Sequence, residues 1–117
     1  VTTAAADRGS LRIADRVIAK IAARAARDAL SDAPQSQHVP PGTEPNASVA
    51  MRRGQAHVRL SVELGYPNDI VAVARAVRRH VADRVEALTG ITVPEVAVEV
   101  ERLHSPATHR AEEGRVR

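Results

Sequence analysis

Between Gln55 and Val100 the residues alternate polar with apolar, then repeat at helical spacing, then alternate again, a succession few folds can satisfy. In Gln55–Leu64, Ala56, Val58, Leu60, Val62 and Leu64 fall on one side of an extended chain, and His57, Arg59, Ser61 and Glu63 fall on the other. This predicts a strand with one buried face. After Tyr66-Pro67, Ile70, Val73, Ala74, Val77, Val81, Val85 and Leu88 make a helical stripe, closed by Gly90 where a left-handed C-terminal residue is expected. Ile91–Val100 alternates again and predicts a second strand. If those two strands are parallel in one sheet, the crossover between them is right-handed.

Upstream, Leu11 and Ile13 flank Arg12 as a short strand, and Asp15 stands where it would cap a helix. That helix runs to about Leu30, with Val17, Ile18, Ile21, Ala22, Ala25 and Ala29 on its apolar face. Ser31–Asn46 carries Pro34, Pro40, Pro41, Pro45 and Gly42, the composition of a flexible loop. Val49 and Met51 then lead into Arg52-Arg53-Gly54, a tight turn between two antiparallel strands. The expected fold is therefore α+β, a small mixed β-sheet with both helices packed on one face, in the order β-α-β-β-α-β with the first strand short. Residues 9–103 make the single domain, with a Pro-rich loop at 31–46, a flexible leader at 1–8 and a polar, disordered tail at 104–117.

Tyr66 is the sole aromatic residue, so the core must be built from Val, Ala, Ile and Leu. A buried Val contributes about 1.5 kcal/mol, less than a Phe, and a thin core of this kind gains from self-association. The absence of cysteine excludes a disulfide scaffold, a thiol nucleophile and thiolate metal sites. No run approaches the ~20 apolar residues of a spanning helix, and the first residues lack the apolar block of a secretory signal, so a cytosolic protein is expected. Asn46-Ala-Ser48 accordingly carries no glycosylation reading. The net charge is only +3, from 17 basic against 14 acidic side chains, and Lys20 is the one lysine. Such a balance does not by itself point to nucleic acid.

Reactive constellations are scarce. Of the five histidines, His38, His57, His80, His104 and His109, only the last two are close in sequence, and both fall in the expected tail; no metal site follows. Glu99 and Glu101 share one side of the last strand, where a charge ladder with Arg59 is a simpler account than acid/base chemistry. Gly54 and Gly90 each stand alone, and no nucleophile triad, phosphate-cradling loop or metalloprotease motif is present. No catalytic residue, cofactor or metal ligand is assigned.

Basic residues supply the candidate interaction surface. Arg16, Lys20, Arg24 and Arg27 recur at intervals of four and three on one side of the first helix; Arg75, Arg78 and Arg79 cluster on the second; Arg52 and Arg53 tip the hairpin. Each such charge near an anionic leaflet contributes about 1 kcal/mol, but firm attachment needs apolar insertion that no Trp or Phe is there to supply. Membrane proximity would then come through an anchored protein partner rather than by direct insertion. The rival class is a small RNA- or DNA-binding module using Arg52, Arg53 and the helix arginines, with salt-dependent phosphate contacts but without the stacking aromatics that sheets reading single strands offer.

Two blocks, Gly9-Ser-Leu-Arg-Ile-Ala-Asp-Arg-Val-Ile-Ala-Lys-Ile-Ala22 and Val85-Glu-Ala-Leu-Thr-Gly-Ile-Thr-Val-Pro-Glu-Val-Ala-Val-Glu-Val100, with the strand before Tyr66-Pro67 in order between them, give the chain a resemblance to the alkaline shock protein family. It spans most of residues 9–102. The resemblance implies a small, non-enzymatic bacterial envelope-stress protein without cofactor. Such a protein is cytosolic and peripheral at the inner face of the cell membrane, and it acts as a scaffold that forms homo-oligomers or binds a membrane-anchored partner. Where that family leaves its first helix through a Gly-Val step into a short apolar segment, this chain has Ser31-Asp-Ala-Pro-Gln-Ser-Gln-His-Val-Pro-Pro-Gly42.

Overall fold

The computed structural model of the chain describes residues 3–105, with side chains from Asp15 onward. Helix α1 (Thr3–Ser31) is followed by a 3₁₀ turn (Ser36–His38), strands β1 (Asn46–Arg52) and β2 (Gln55–Gly65), helix α2 (Ile70–Thr89) and strand β3 (Glu95–His104). The sheet has the order β1-β2-β3, with β1 antiparallel and β3 parallel to the central strand. This is the expected α+β fold, a mixed sheet with two helices, but without its first strand. Leu11 and Ile13 lie inside α1, and Asp15, expected as a cap, is an interior helical residue. A single apolar pair two apart is too short a run to establish a strand, and the upstream Ala4-Ala-Ala6 is strongly helix-forming, which decides the competition.

The alternation in β2 places the core. Ala56, Val58, Leu60, Val62 and Leu64 are all buried, and they meet Ile18, Ala22, Ala25 and Ala26 of α1 and Val73, Val77, Val81 and Val85 of α2. Both helices therefore cover the same face of the sheet. On the edge strands the core-facing residues Ala47, Val49 and Met51 in β1 and Val98, Val100 and Leu103 in β3 are only half buried, and only Val96 at the start of β3 joins the buried core. The helices close over the middle of the sheet more fully than over its margins.

Local chemistry sets the ends of the elements. Arg53 (φ 52°) and Gly54 (φ 75°) both have positive φ, as the two central residues of a type I′ hairpin turn require, and Arg52 pairs with Gln55 across it. Asp69 caps α2 by accepting from the Ala72 amide at 3.1 Å. Gly90 (φ 74°) ends that helix, its N–H donating to the Glu86 carbonyl at 2.8 Å. The returning strand starts at Glu95 rather than Ile91, because the Ile91 amide donates to Thr89 Oγ1 and the Val93 amide to Glu86 Oε2. With those donors spent on α2 and Pro94 lacking one, ladder pairing begins at Glu95. It then continues beyond Val100 to His104 through a bulge opposite Val62 and Glu63.

Leu60 is fully buried at the centre of this arrangement, whereas Val71 of α2 is 64% exposed. Leu60→Ala is expected to cost about 3 kcal/mol in urea unfolding, and Val71→Ala less than about 0.5 kcal/mol.

Candidate interaction surfaces

The face of the sheet turned away from the helices is polar, and the strand register arranges it in rows. Ala50, His57 and Glu95 form one row, Ser48, Arg59 and Ala97 the next, and Asn46, Ser61 and Glu99 the third. Along β1 the row members Asn46, Ser48, Ala50 and Arg52 include no acid, while β3 carries exposed Glu95, Glu99 and Glu101. Charge is thus divided across the face, with Arg52 and Arg53 at the hairpin end of β1 and Glu95 and Glu99 along β3, where Arg102 follows only beyond the bulge. The expected ladder of Arg59 with the β3 glutamates is not formed. Arg59 is in register with Ala97, Glu99 is opposite Ser61, and the bulge removes Glu101 from register altogether. Instead His57 Nδ1 lies 3.5 Å from Glu95 Oε2, directly across the strands.

All eight candidate basic residues, Arg16, Lys20, Arg24, Arg27, Arg52, Arg53, Arg75 and Arg79, are exposed. The fold does not gather them into one patch. The four on α1 lie opposite its buried residues Ile18, Ala22, Ala25 and Ala26, so that stripe points away from the sheet, as do Arg75 and Arg79 on α2. Arg52, by contrast, belongs to the outer face of the sheet, with the helices on the other side. A nucleic-acid strand could not track the hairpin and helix arginines together without passing around an edge of the sheet. Among the described residues only Arg27 of the eight has an ionic partner, Glu44, at 3.5 Å with both side chains well exposed. Such a pair contributes at most about 1 kcal/mol.

At the opposite end of the sheet from the hairpin, the Pro-rich segment folds back on the domain. A groove of about 250 Å³ lies between the end of α1, this segment and the end of β2, with Leu30, Val39, Pro41 and Leu64 among its apolar lining. Asn68 Nδ2 clamps it by donating to the Pro34 carbonyl at 2.7 Å and the Gly65 carbonyl at 3.3 Å. Among the described residues no group of three His, Cys, Asp or Glu could hold a metal ion, and no helix is long and apolar enough to cross a membrane.

A family model described as ASP23, the alkaline shock family with a cell envelope-related function, matches residues 43–105, just over half of the chain. The chain belongs to the alkaline shock family. No curated protein and no solved structure matches it. The family match takes in β1, β2, α2 and β3 and begins after α1 and most of the Pro-rich segment. The block Gly9–Ala22 that carried half of the resemblance lies outside it.

One pair in the matched region of this alkaline shock protein escaped sequence reasoning. His104, grouped with the tail, is the last residue of β3 and only 5% exposed. Its Nε2 lies 2.6 Å from Glu63 Oε1, and its carbonyl accepts from the Tyr66 amide at 2.7 Å. The signal was hidden by the bulge. Glu101 and Arg102 are adjacent exposed charges that break the alternation, after which Leu103 takes the inner row and His104 pairs with Gly65. His109 lies outside the described residues.

Gly65 is where the Pro-rich segment and this strand end meet, since a Cβ there would collide with the Gln35 carbonyl. Gly65→Ala should destabilise the domain by about 1–3 kcal/mol. It should also raise hydrogen exchange at the His38 and Val39 amides, which donate within the 3₁₀ turn, while the amides of β2 stay protected.

Proposed function

We propose that this alkaline shock protein is a non-enzymatic scaffold of the bacterial envelope stress response. It works on the cytosolic side of the membrane, associating with itself and with a membrane-anchored partner. The observation that carries this reading is the charge division across an open sheet. Both β1 and β3 are edge strands, β1 is antiparallel to β2, and β3 is parallel to it. If β1 of one copy were added beside β3 of another, the strands would pair antiparallel as a continuation of the sheet, and Arg52 and Arg53, at the hairpin end of β1, would approach Glu95 at the start of β3, with Glu99 next along the same face. Opposite charges so placed contribute a few tenths of a kcal/mol per pair and oppose the reversed arrangement. The half-buried rows Val49–Met51 and Val98–Leu103 would lose water in the same step, adding the apolar contribution that a thin aliphatic core lacks.

The exposed stripe of Arg16, Lys20, Arg24 and Arg27 on the other side of the molecule is assigned to an acidic surface of the membrane-anchored partner. This division leaves the two kinds of contact independent, because the stripe and the sheet edges face apart.

Sedimentation velocity over a hundredfold range of concentration checks the first contact. Glu95→Lys with Glu99→Lys is expected to reduce association at least fivefold, and adding Arg52→Glu with Arg53→Glu should restore it. For the second contact, charge reversal of the α1 stripe should abolish recovery of a membrane protein from detergent-solubilised host cells without changing sedimentation. A chain that stays monomeric throughout and recovers no membrane protein would remove the scaffold reading.

A further inference from the structure

We infer that the depression over Ala50 on the outer face of the sheet is a binding site for a phosphate monoester. Ser48 and Arg52 of β1, His57 and Arg59 of β2, and Glu95 of β3 surround a space of about 360 Å³. Its floor is low because Ala50 and Ala97 occupy positions in the two central rows, flanking His57 and Arg59 in register. The depression follows from where small residues fall among large ones.

The walls select the charge and shape of the ligand. Among the described residues, neither Arg52 nor Arg59 has a hydrogen-bond or ion-pair partner, so two arginines line the same space with their guanidinium donors uncommitted. Each is a planar fork that binds two oxygens of one anion, the geometry that distinguishes arginine from lysine as a phosphate ligand. A tetrahedral dianion can engage both forks at once, whereas a carboxylate has oxygens and charge for one. The Ser48 hydroxyl supplies a further donor. Glu95 is the one acid in the wall, and its carboxylate is held 3.5 Å from His57 Nδ1. It opposes the ligand and so gives the site a distinctive mutational signature. The space exceeds what bare phosphate fills, and the Ala50 and Ala97 methyls leave room for the esterified group. Arg27 of α1 also borders a groove, but there its guanidinium is paired with Glu44.

Phosphate monoester chemistry could come from a soluble metabolite or from a lipid headgroup, and a titration of the isotope-labelled full chain separates them. Inorganic phosphate and glycerol 3-phosphate are added at constant ionic strength with sodium chloride as control, and co-sedimentation compares phosphatidate vesicles with phosphatidylcholine vesicles. Saturable NMR shifts are expected at Ser48, Ala50, His57 and Arg59. Arg52→Gln and Arg59→Gln should each weaken binding at least about tenfold, as loss of a charged hydrogen-bond partner does. Arg59→Lys should restore only part of the affinity, Glu95→Gln should tighten binding several-fold, and Arg53→Gln should change it less than twofold. Arg59-dependent capture by phosphatidate vesicles assigns the headgroup, and binding of the soluble ester alone assigns a metabolite. Unchanged amide shifts elsewhere in each variant establish that it is folded. The inference is overturned by shifts that do not saturate and spread over the arginines of α1 and α2, by an Arg59→Gln variant that binds as the parent does, or by Arg53-dependent binding of a short RNA that displaces the ester.

Discussion

Burial of one row of β2 beneath two helices is the constraint on which the remaining features depend. Ala56, Val58, Leu60, Val62 and Leu64 are small or medium aliphatic residues, all buried, and the helices meet them with alanine and valine. With no aromatic side chain to spread across the sheet, coverage falls off toward β1 and β3, and apart from Val96 their inner rows stay half wet. Since successive strand residues face opposite ways, fixing that row inward also fixes His57, Arg59, Ser61 and Glu63 outward. The polar face and the thin core are thus two results of one pattern.

From this follows the separation of the cationic groups. A helix that buries Ile18, Ala22, Ala25 and Ala26 must present Lys20 and Arg24 to the far side, and no rotation brings them to the face that carries Arg52 and Arg59. The molecule consequently offers two surfaces of different character. One is a convex basic helix stripe suited to a broad acidic partner, and the other is a sheet face with divided charge, free edges and a small depression.

Much of this was legible in the sequence because period and turn chemistry are local. The stripe of α2, its Gly90 terminus, the Arg53-Gly54 turn and the inward row of β2 need no tertiary information to read. The misreadings arose where something distant decides. Residues 11–13 form helix because the upstream alanines extend α1, which a three-residue alternation cannot reveal. Ile91 and Val93 keep the spacing of a strand, but their amides are taken by Thr89 and Glu86, side chains of the preceding helix. Strand register sets Arg59 beside Ala97 and not beside a glutamate, and the bulge at Glu101 shifts the parity of the strand, so His104 passes for part of a tail when it is a buried partner of Glu63. The depression over Ala50 could not be read at all before register was known, since it needs Ala50 and Ala97 from strands 47 positions apart in the chain to fall in neighbouring rows.

The central claim is that the open sheet, and not the helix layer, is where copies of this protein meet. Hydrogen exchange measured residue by residue on dilute and concentrated samples tests it most directly. The account predicts that concentration slows exchange at the outward-facing amides of β1 and β3 while those along the exposed side of α1 are unchanged. Protection that appears along Arg16–Arg27 and leaves both edge strands as they were would contradict it.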